Sequence, residues 1–216
     1  MNAAAPAHEL RDWIARHLDP LHDHAVEGGQ RRGDFDLTPD GWSGQPLKDL
    51  TPAAVLIGLI EREHGVNVLL TRRSDSLRNH TGQVALPGGR QDPGETPLQT
   101  ALREAHEEVG LEPDFVTPIG LSTPYQTGSG YLITPVVGFV RPGFQLTPNP
   151  GEVADIFETP FGFLMDPANY QEHERALPSG ELRRFYATTH DEKYIWGATA
   201  GILRALHERL YGAALA

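Results

Sequence analysis

Between positions 89 and 111 the chain reads GRQDPGETPLQTALREAHEEVGL. A glycine is followed six positions on by a glutamate, eight positions later by an Arg-Glu pair, then by a Glu-Glu pair and a closing glycine. Pro97 suits the first turn of a helix, with Thr96 before it as N-cap, and good helix formers continue to Val109. At helical spacing Leu98, Ala101, Leu102, Ala105 and Val109 share one face, which is expected to pack inward. Glu104, Glu107 and Glu108 then project from a neighbouring arc, with Glu104 and Glu108 one turn apart. Like charges at the C-terminal end of a helix oppose each other and the macrodipole, and a hard divalent cation with oxygen ligands would remove that cost. A solvated acidic face with an Arg103–Glu107 pair would explain the helix alone but not its flanks. Upstream, Leu86-Pro87-Gly88-Gly89 is expected to turn tightly and aim a carbonyl at the same ion, and Gly110 to end the helix in the left-handed region.

This pattern resembles the Nudix box at every charged and glycine position. The resemblance implies hydrolysis of the pyrophosphate bond in nucleoside diphosphates linked to another group, with Mg²⁺ or Mn²⁺. It makes Glu104 and Glu108 the principal metal ligands, Glu107 a further ligand or water-activating carboxylate, and Gly89 a backbone contributor. Arg103 and Glu95 would form an ion pair that orients loop and helix. Ala105 departs from the family, which usually has a larger aliphatic residue there; the change touches packing more than chemistry.

Residues 69–89, LLTRRSDSLRNHTGQVALPGG, resemble the signature of the coenzyme A pyrophosphatase branch of that family. Leu69, Leu70, Thr71, Arg73, Ser74, Arg78, Gly82, Pro87, Gly88 and Gly89 match at the expected spacing, while Leu86 stands where the branch usually has phenylalanine. The resemblance implies substrate contacts at Arg73, Ser74, Arg78 and Gly82. Chemistry gives a separate reason. Coenzyme A carries a diphosphate bridge and a ribose 3′-phosphate, so a selective site needs fixed cationic donors away from the metal cluster. Arg72, Arg73, Arg78 and His80 supply positive charge in an otherwise acidic chain. Two other readings stand beside this one: a Nudix pyrophosphatase acting on ADP-ribose, dinucleoside polyphosphates or oxidised nucleotides, and a non-catalytic nucleotide-sensing module.

The chain has 216 residues, a net charge of −11, 39% hydrophobic residues and no cysteine. That length supports one substantial domain. The acidic balance argues against nonspecific nucleic-acid binding, which needs lysine and arginine to displace counterions. A disulfide framework and a thiol nucleophile are both excluded. The opening MNAAAPAHEL lacks a secretory pattern, and the longest apolar run, residues 53–60, is too short to span a bilayer, so no membrane association and cytoplasmic residence are expected.

The elements that must position these groups follow from periodicity. Leu10, Trp13, Ile14, Leu18 and Leu21 predict an amphipathic helix over 8–24, packing on the core or contacting a second copy in a homodimer. Residues 27–51 read as a connector. Segments 53–62 and 66–72 predict a hairpin around Glu63-His64-Gly65. Residues 115–121 and 131–140 have strand character, 183–188 is a candidate edge strand, the C-terminal part begins with 160–165, and a helix is expected over 197–210. Residues 1–50 are thus expected to pack as helix and connector on a hydrolase domain spanning 51–216. The mixture predicts an α/β protein. The resemblance implies the Nudix fold, an α/β/α sandwich with a mixed sheet between helices.

Three later features could complete the site. Glu152, in the turn Pro148-Asn149-Pro150-Gly151, could reach the metal cluster as ligand or general base. Tyr125, Gln126 and Tyr131 flank a flexible Gly128-Ser129-Gly130 stretch that could touch adenine or the pantetheine arm. Tyr194-Ile195-Trp196-Gly197 is expected to pack the last helix.

Overall fold

The computed structural model describes residues 7–21, 31–37, 46–75, 82–176 and 182–212. In chain order the elements are α1 (Ala7–Ala15), β1 (Arg32–Gly33), β2 (Thr51–Arg62), β3 (Gly65–Arg73), β4 (Val84–Ala85), β5 (Gly88–Arg90), α2 (Pro97–Val109), β6 (Val116–Leu121), β7 (Tyr125–Gln126), β8 (Tyr131–Val140), β9 (Val153–Pro160), α3 (Phe161–Leu164), β10 (Gln171–Ala176), β11 (Leu182–His190), β12 (Lys193–Trp196) and α4 (Ala198–Tyr211).

Strand β2 is the axis. Its run Ala53-Ala54-Val55-Leu56-Ile57-Gly58-Leu59-Ile60 is apolar on both faces, as a strand covered on both sides must be. It pairs in parallel with β8 along its length and antiparallel with β3 and β5 on its other edge. The main path runs β1-β7-β8-β2-β3-β4, with β5 on β2, β6 on β8 and β9 on β3. Alternation sends Ala54, Leu56 and Ile60 towards Ala101, Ala105 and Val109 of α2. Ile57 and Leu59 face the opposite way, onto Leu10 and Ile14 of α1, Phe161 and Leu164 of α3, and Leu203 and Leu206 of α4. The result is the expected α/β/α sandwich around a mixed sheet. No helix among the described residues is long and apolar enough to cross a membrane.

Helix α1 is shorter than its periodicity predicts. It ends at Ala15, and Asp19 forms a bridge with Leu121. Pro20 disfavours a helical Asp19, and Arg209 grips the Asp19 carboxylate at 2.6 and 3.0 Å. Leu18 is buried, Leu21 is 41% exposed, and 22–24 lie outside the described residues. The segment expected as an edge strand is instead the centre of a second sheet, β10-β11-β12. Its outer neighbour β10, Gln-Glu-His-Glu-Arg-Ala, is exposed throughout and carries no apolar alternation that would reveal it. Of Tyr194-Ile195-Trp196, only Ile195 enters the core; cross-strand register puts Tyr194 and Trp196 on the other face.

Candidate metal centre

Helix α2 is capped at both ends. Thr96 Oγ1 accepts from the Gln99 amide at 3.2 Å while the Gln99 side chain accepts from the Thr96 amide at 2.8 Å, a reciprocal capping box behind Pro97. Gly110 takes φ 69° and closes the last turn. The final carbonyls are met by another segment: the amides of Thr147 and Asn149 donate to Val109 and Glu108 oxygens at 2.8 and 2.9 Å. Those two bonds dock the 147–152 turn on the acidic end of the helix.

That docking brings Glu152 to the carboxylates of α2. The Ser74 amide donates to the Glu152 carbonyl at 2.8 Å, so the turn is clamped between α2 and the end of β3. Asn149 shapes it, its carbonyl accepting from the amides of Glu152 and Val153 at 2.9 and 2.8 Å and its side chain from Gly151 at 3.1 Å. This positioning role of Asn149 is not legible in the sequence, where the segment shows only turn residues.

Glu108 is 4% exposed and its Oε2 accepts from the Gly88 amide at 3.2 Å. Burial pushes its carboxyl up to about 7, with Glu104 and Glu152 adding to the rise while the Gly88 amide and Arg73 oppose it. Burial also raises Glu104, against the opposing pull of Arg103 and with help from Glu107 and Glu152. Four carboxylates therefore act on one another at a site where two of them resist ionisation.

The glycine pair works differently from the tight turn expected. Gly88 and Gly89 lie in an extended strand against Val55 and Ala54. What demands glycine is close approach: a Cβ on Gly89 would overlap the Glu104 carboxylate, and one on Gly88 would overlap the backbone of Ala54 and Val55. Gly88 and Gly89 thus form a side-chain-free wall against which the Glu104 and Glu108 carboxylates rest.

Arg103 faces this cluster from the other side. Its Nε and Nη2 donate to Glu95 at 2.7 and 3.0 Å, its Nη1 to Glu104 at 2.8 Å and Glu107 at 3.1 Å, and its Nη2 also to the Arg90 carbonyl at 3.1 Å. Glu95 also accepts from the Asp92 amide at 3.0 Å and Thr100 Oγ1 at 2.8 Å. The Arg103 hydrogen bonds hold the Glu95 carboxyl down to about 2, and Glu95 in turn raises Arg103. With Arg103 drawing Glu104 and Glu107 to itself, no three His, Asp or Glu side chains among the described residues surround a common point. The donor set nonetheless fits a hard divalent cation: oxygen donors only, mutually repelling, and partly removed from water.

Arg73 ends β3 at a bulge opposite Val153 and lies close enough to Glu108 to act on its carboxyl. Its Nε is buried without a hydrogen-bond partner. Ser74 is buried beside it. Gly82 takes φ 67° near the Arg72–Asp75 ion pair, closed at 2.9 Å. Arg78 and His80 fall outside the described residues. Tyr125 and Gln126 are buried, which removes them from any ligand surface: the Tyr125 hydroxyl donates to Asp34 at 2.9 Å. Nor is the following stretch loose. Asp34 also accepts from the Gly128 amide at 2.8 Å, and Gly130 accepts from the Thr51 amide at 2.8 Å.

A family model described as NUDIX domain matches residues 49–180. A protein of Photorhabdus laumondii described as an uncharacterized Nudix hydrolase NudL is 41% identical over 159 residues, covering 73% of this chain and 84% of the relative. A protein of Yersinia pestis with the same description is 41% identical over 159 residues, covering 73% and 79%. Among solved structures, a Nudix hydrolase from M. smegmatis, RenU, aligns with TM-score 0.48 at 23% identity over 76% of this chain and 86% of its own. With the family model spanning most of the chain and the acidic helix lying inside the match, this chain belongs to the Nudix hydrolase family.

Proposed function

We propose that the chain hydrolyses the diphosphate bond of coenzyme A or its thioesters. Addition of water across the P–O–P bridge gives 3′,5′-ADP and 4′-phosphopantetheine, or the acylated form of the latter. The observation that carries this reading is the placement of Arg73. It belongs to the upstream sequence that resembles the coenzyme A branch, and it stands beside Glu108 with its Nε unpaired.

Glu104, Glu108 and Glu107 would hold Mg²⁺ or Mn²⁺, with the Gly89 backbone alongside. The bound ion would neutralise the diphosphate and lower the pKa of an attacking water. Glu152, clamped between α2 and β3, would accept the proton of that water or complete the ligand set. Arg73 supplies a fixed donor for a phosphate oxygen, with Ser74 buried beside it. Arg103 and Glu95 act through position: they tie residues 90–95 to α2 and keep Glu104 against β5.

The test is product identification by mass spectrometry after incubation with coenzyme A, ADP-ribose, NADH and diadenosine polyphosphates, each with Mg²⁺, Mn²⁺ or chelator. Metal-dependent release of 3′,5′-ADP and phosphopantetheine faster than cleavage of the others is expected. Much faster cleavage of another nucleotide would leave the metal chemistry standing and reject coenzyme A. No turnover with either metal would favour a sensing module.

A further inference from the structure

The second sheet has an outer face that the metal site does not use. Register places His173 opposite Phe185 and Arg175 opposite Arg183, with Tyr194 and Trp196 following on β12. The rings form one connected layer: His173 stacks on Phe185 with centroids 5.9 Å apart, Phe185 meets Trp196 at 5.2 Å, and Trp196 lies nearly parallel to Tyr194 at 6.4 Å. Tyr194 is 43% exposed.

Charge on this face runs against the rest of the molecule. In a chain of net charge −11, its paired residues include no carboxylate, while Arg175 and Arg183 stand directly across from each other; an acidic group, Asp34, lies beyond the Arg183 end, on the Gly128 amide. Like charges in directly opposed positions destabilise a sheet. Among the described residues neither arginine has an ion-pair partner; the carboxylates of β10, Glu172 and Glu174, point to the other face, where Glu174 meets Arg184 at 3.8 Å. An anion between the two guanidinium groups would turn this repulsion into binding.

The layer borders two segments of the larger sheet. Arg183 lies so close to Gly128 that a Cβ there would overlap its guanidinium, so the 127–130 turn closes one end of the face. At the other end β12 packs next to β4, the strand that leads through Leu86 and Pro87 into β5, and Thr199 Oγ1 donates to the Val84 carbonyl at 3.0 Å.

We propose that this face binds the adenosine phosphate end of the substrate, with the purine on the Trp196–Tyr194 layer and a ribose phosphate between Arg175 and Arg183. The proposal rests on the nucleotide diphosphate reading above and adds a subsite to it. An aromatic plane takes a base through its π-face, and paired arginines take a dianion, so the two halves together select a nucleotide carrying a free phosphate.

The experiment is isothermal titration of the full chain in chelator with 3′,5′-ADP, adenosine and inorganic phosphate, for wild type, Arg183→Gln, Tyr194→Ser and, from the opposite face of β11, Arg184→Gln. Wild type is expected to bind 3′,5′-ADP at least about 10-fold more tightly than either fragment. Arg183→Gln and Tyr194→Ser should each weaken that binding by about 5- to 50-fold, with Arg184→Gln unchanged. No saturable binding by wild type, equal binding of phosphate alone, or equal loss in all three variants would overturn the subsite. Cleavage of coenzyme A without such binding rejects this inference alone. Arg183-dependent binding without cleavage of coenzyme A rejects the substrate reading and keeps the subsite.

Discussion

Arg103 holds Glu95 through two nitrogens, Nε at 2.7 Å and Nη2 at 3.0 Å, across eight residues that include the start of α2. The pair fastens the loop after β5 to the helix that carries the acidic cluster. Because Glu95 is depressed to about 2 from an ordinary 4.5, its contribution to stability is complete above pH 4.5 and is lost as pH falls towards 2. Glu95→Gln should therefore cost about 1–2 kcal/mol at neutral pH, a value discounted for partial solvent exposure. Urea melts followed by tryptophan fluorescence at pH 7 and pH 3 check this: less than half the difference should survive at pH 3, and a pH-independent difference would contradict the account.

Glu108→Gln should separate activity from stability. The change removes a buried negative charge that neighbouring carboxylates oppose, so in chelator at pH 8 the variant is expected to melt several degrees above wild type. Turnover with saturating Mg²⁺ should fall by roughly 10²-fold or more. Scanning calorimetry with and without Mg²⁺ reads the first effect, since added metal should raise the melting temperature of wild type and not of the variant. Near-normal kcat in the variant would sink the ligand assignment.

Neighbouring glycines of β5 should fail in different ways. At Gly89 an added Cβ meets the carboxylate end of the Glu104 side chain rather than backbone, so Gly89→Ala should keep its fold while losing metal affinity by about 10-fold or more. At Gly88 the obstacle is the backbone of β2, and Gly88→Ala should destabilise by about 3 kcal/mol. Thermal melts set beside Mn²⁺ titrations distinguish the two, and the idea fails if the Gly88 and Gly89 variants share one profile.

The β11–β12 turn holds Asp191 at φ 46° and Glu192 at φ 64° between the paired residues His190 and Lys193. Glycine fits the second of these positions without steric cost, so Glu192→Gly is expected to add about 1 kcal/mol and about 3 °C to the melting temperature. A lowered melting temperature would show that this turn is held by contacts of Glu192 itself.

Much of the acidic site is legible because its constraints are local. Thr96, Pro97 and Gly110 announce the ends of α2 by capping chemistry, and the spacing of Glu104, Glu107 and Glu108 places them on one side of it. The β2–β3 hairpin shows in its apolar runs. Tertiary features are not written that way. Strand β9 and the polar β10 carry little periodicity, and the buried Tyr125 finds the partner for its hydroxyl in Asp34, 91 residues away in sequence. The reason for Gly88 and Gly89 also emerges only when β2 and Glu104 converge on them, since a glycine pair alone reads equally well as a turn.

The parallel union of β2 and β8 joins Thr51 to Tyr131 and Ile60 to Val140, a constant separation of 80 residues over ten pairs. The glycine pair of β5 and the glutamates of α2 lie inside that interval, and the 147–152 turn that docks on them follows it. Closing such a loop costs about 4 kcal/mol of chain entropy before the first pair forms, and folds dominated by distant pairings assemble slowly. During synthesis the helix can coil as soon as it leaves the ribosome, yet its apolar face has no completed sheet to cover it until residue 140 has emerged. The acidic helix is thus a latecomer to its own surroundings, and the interval before β8 arrives is when the nascent chain is most exposed to aggregation.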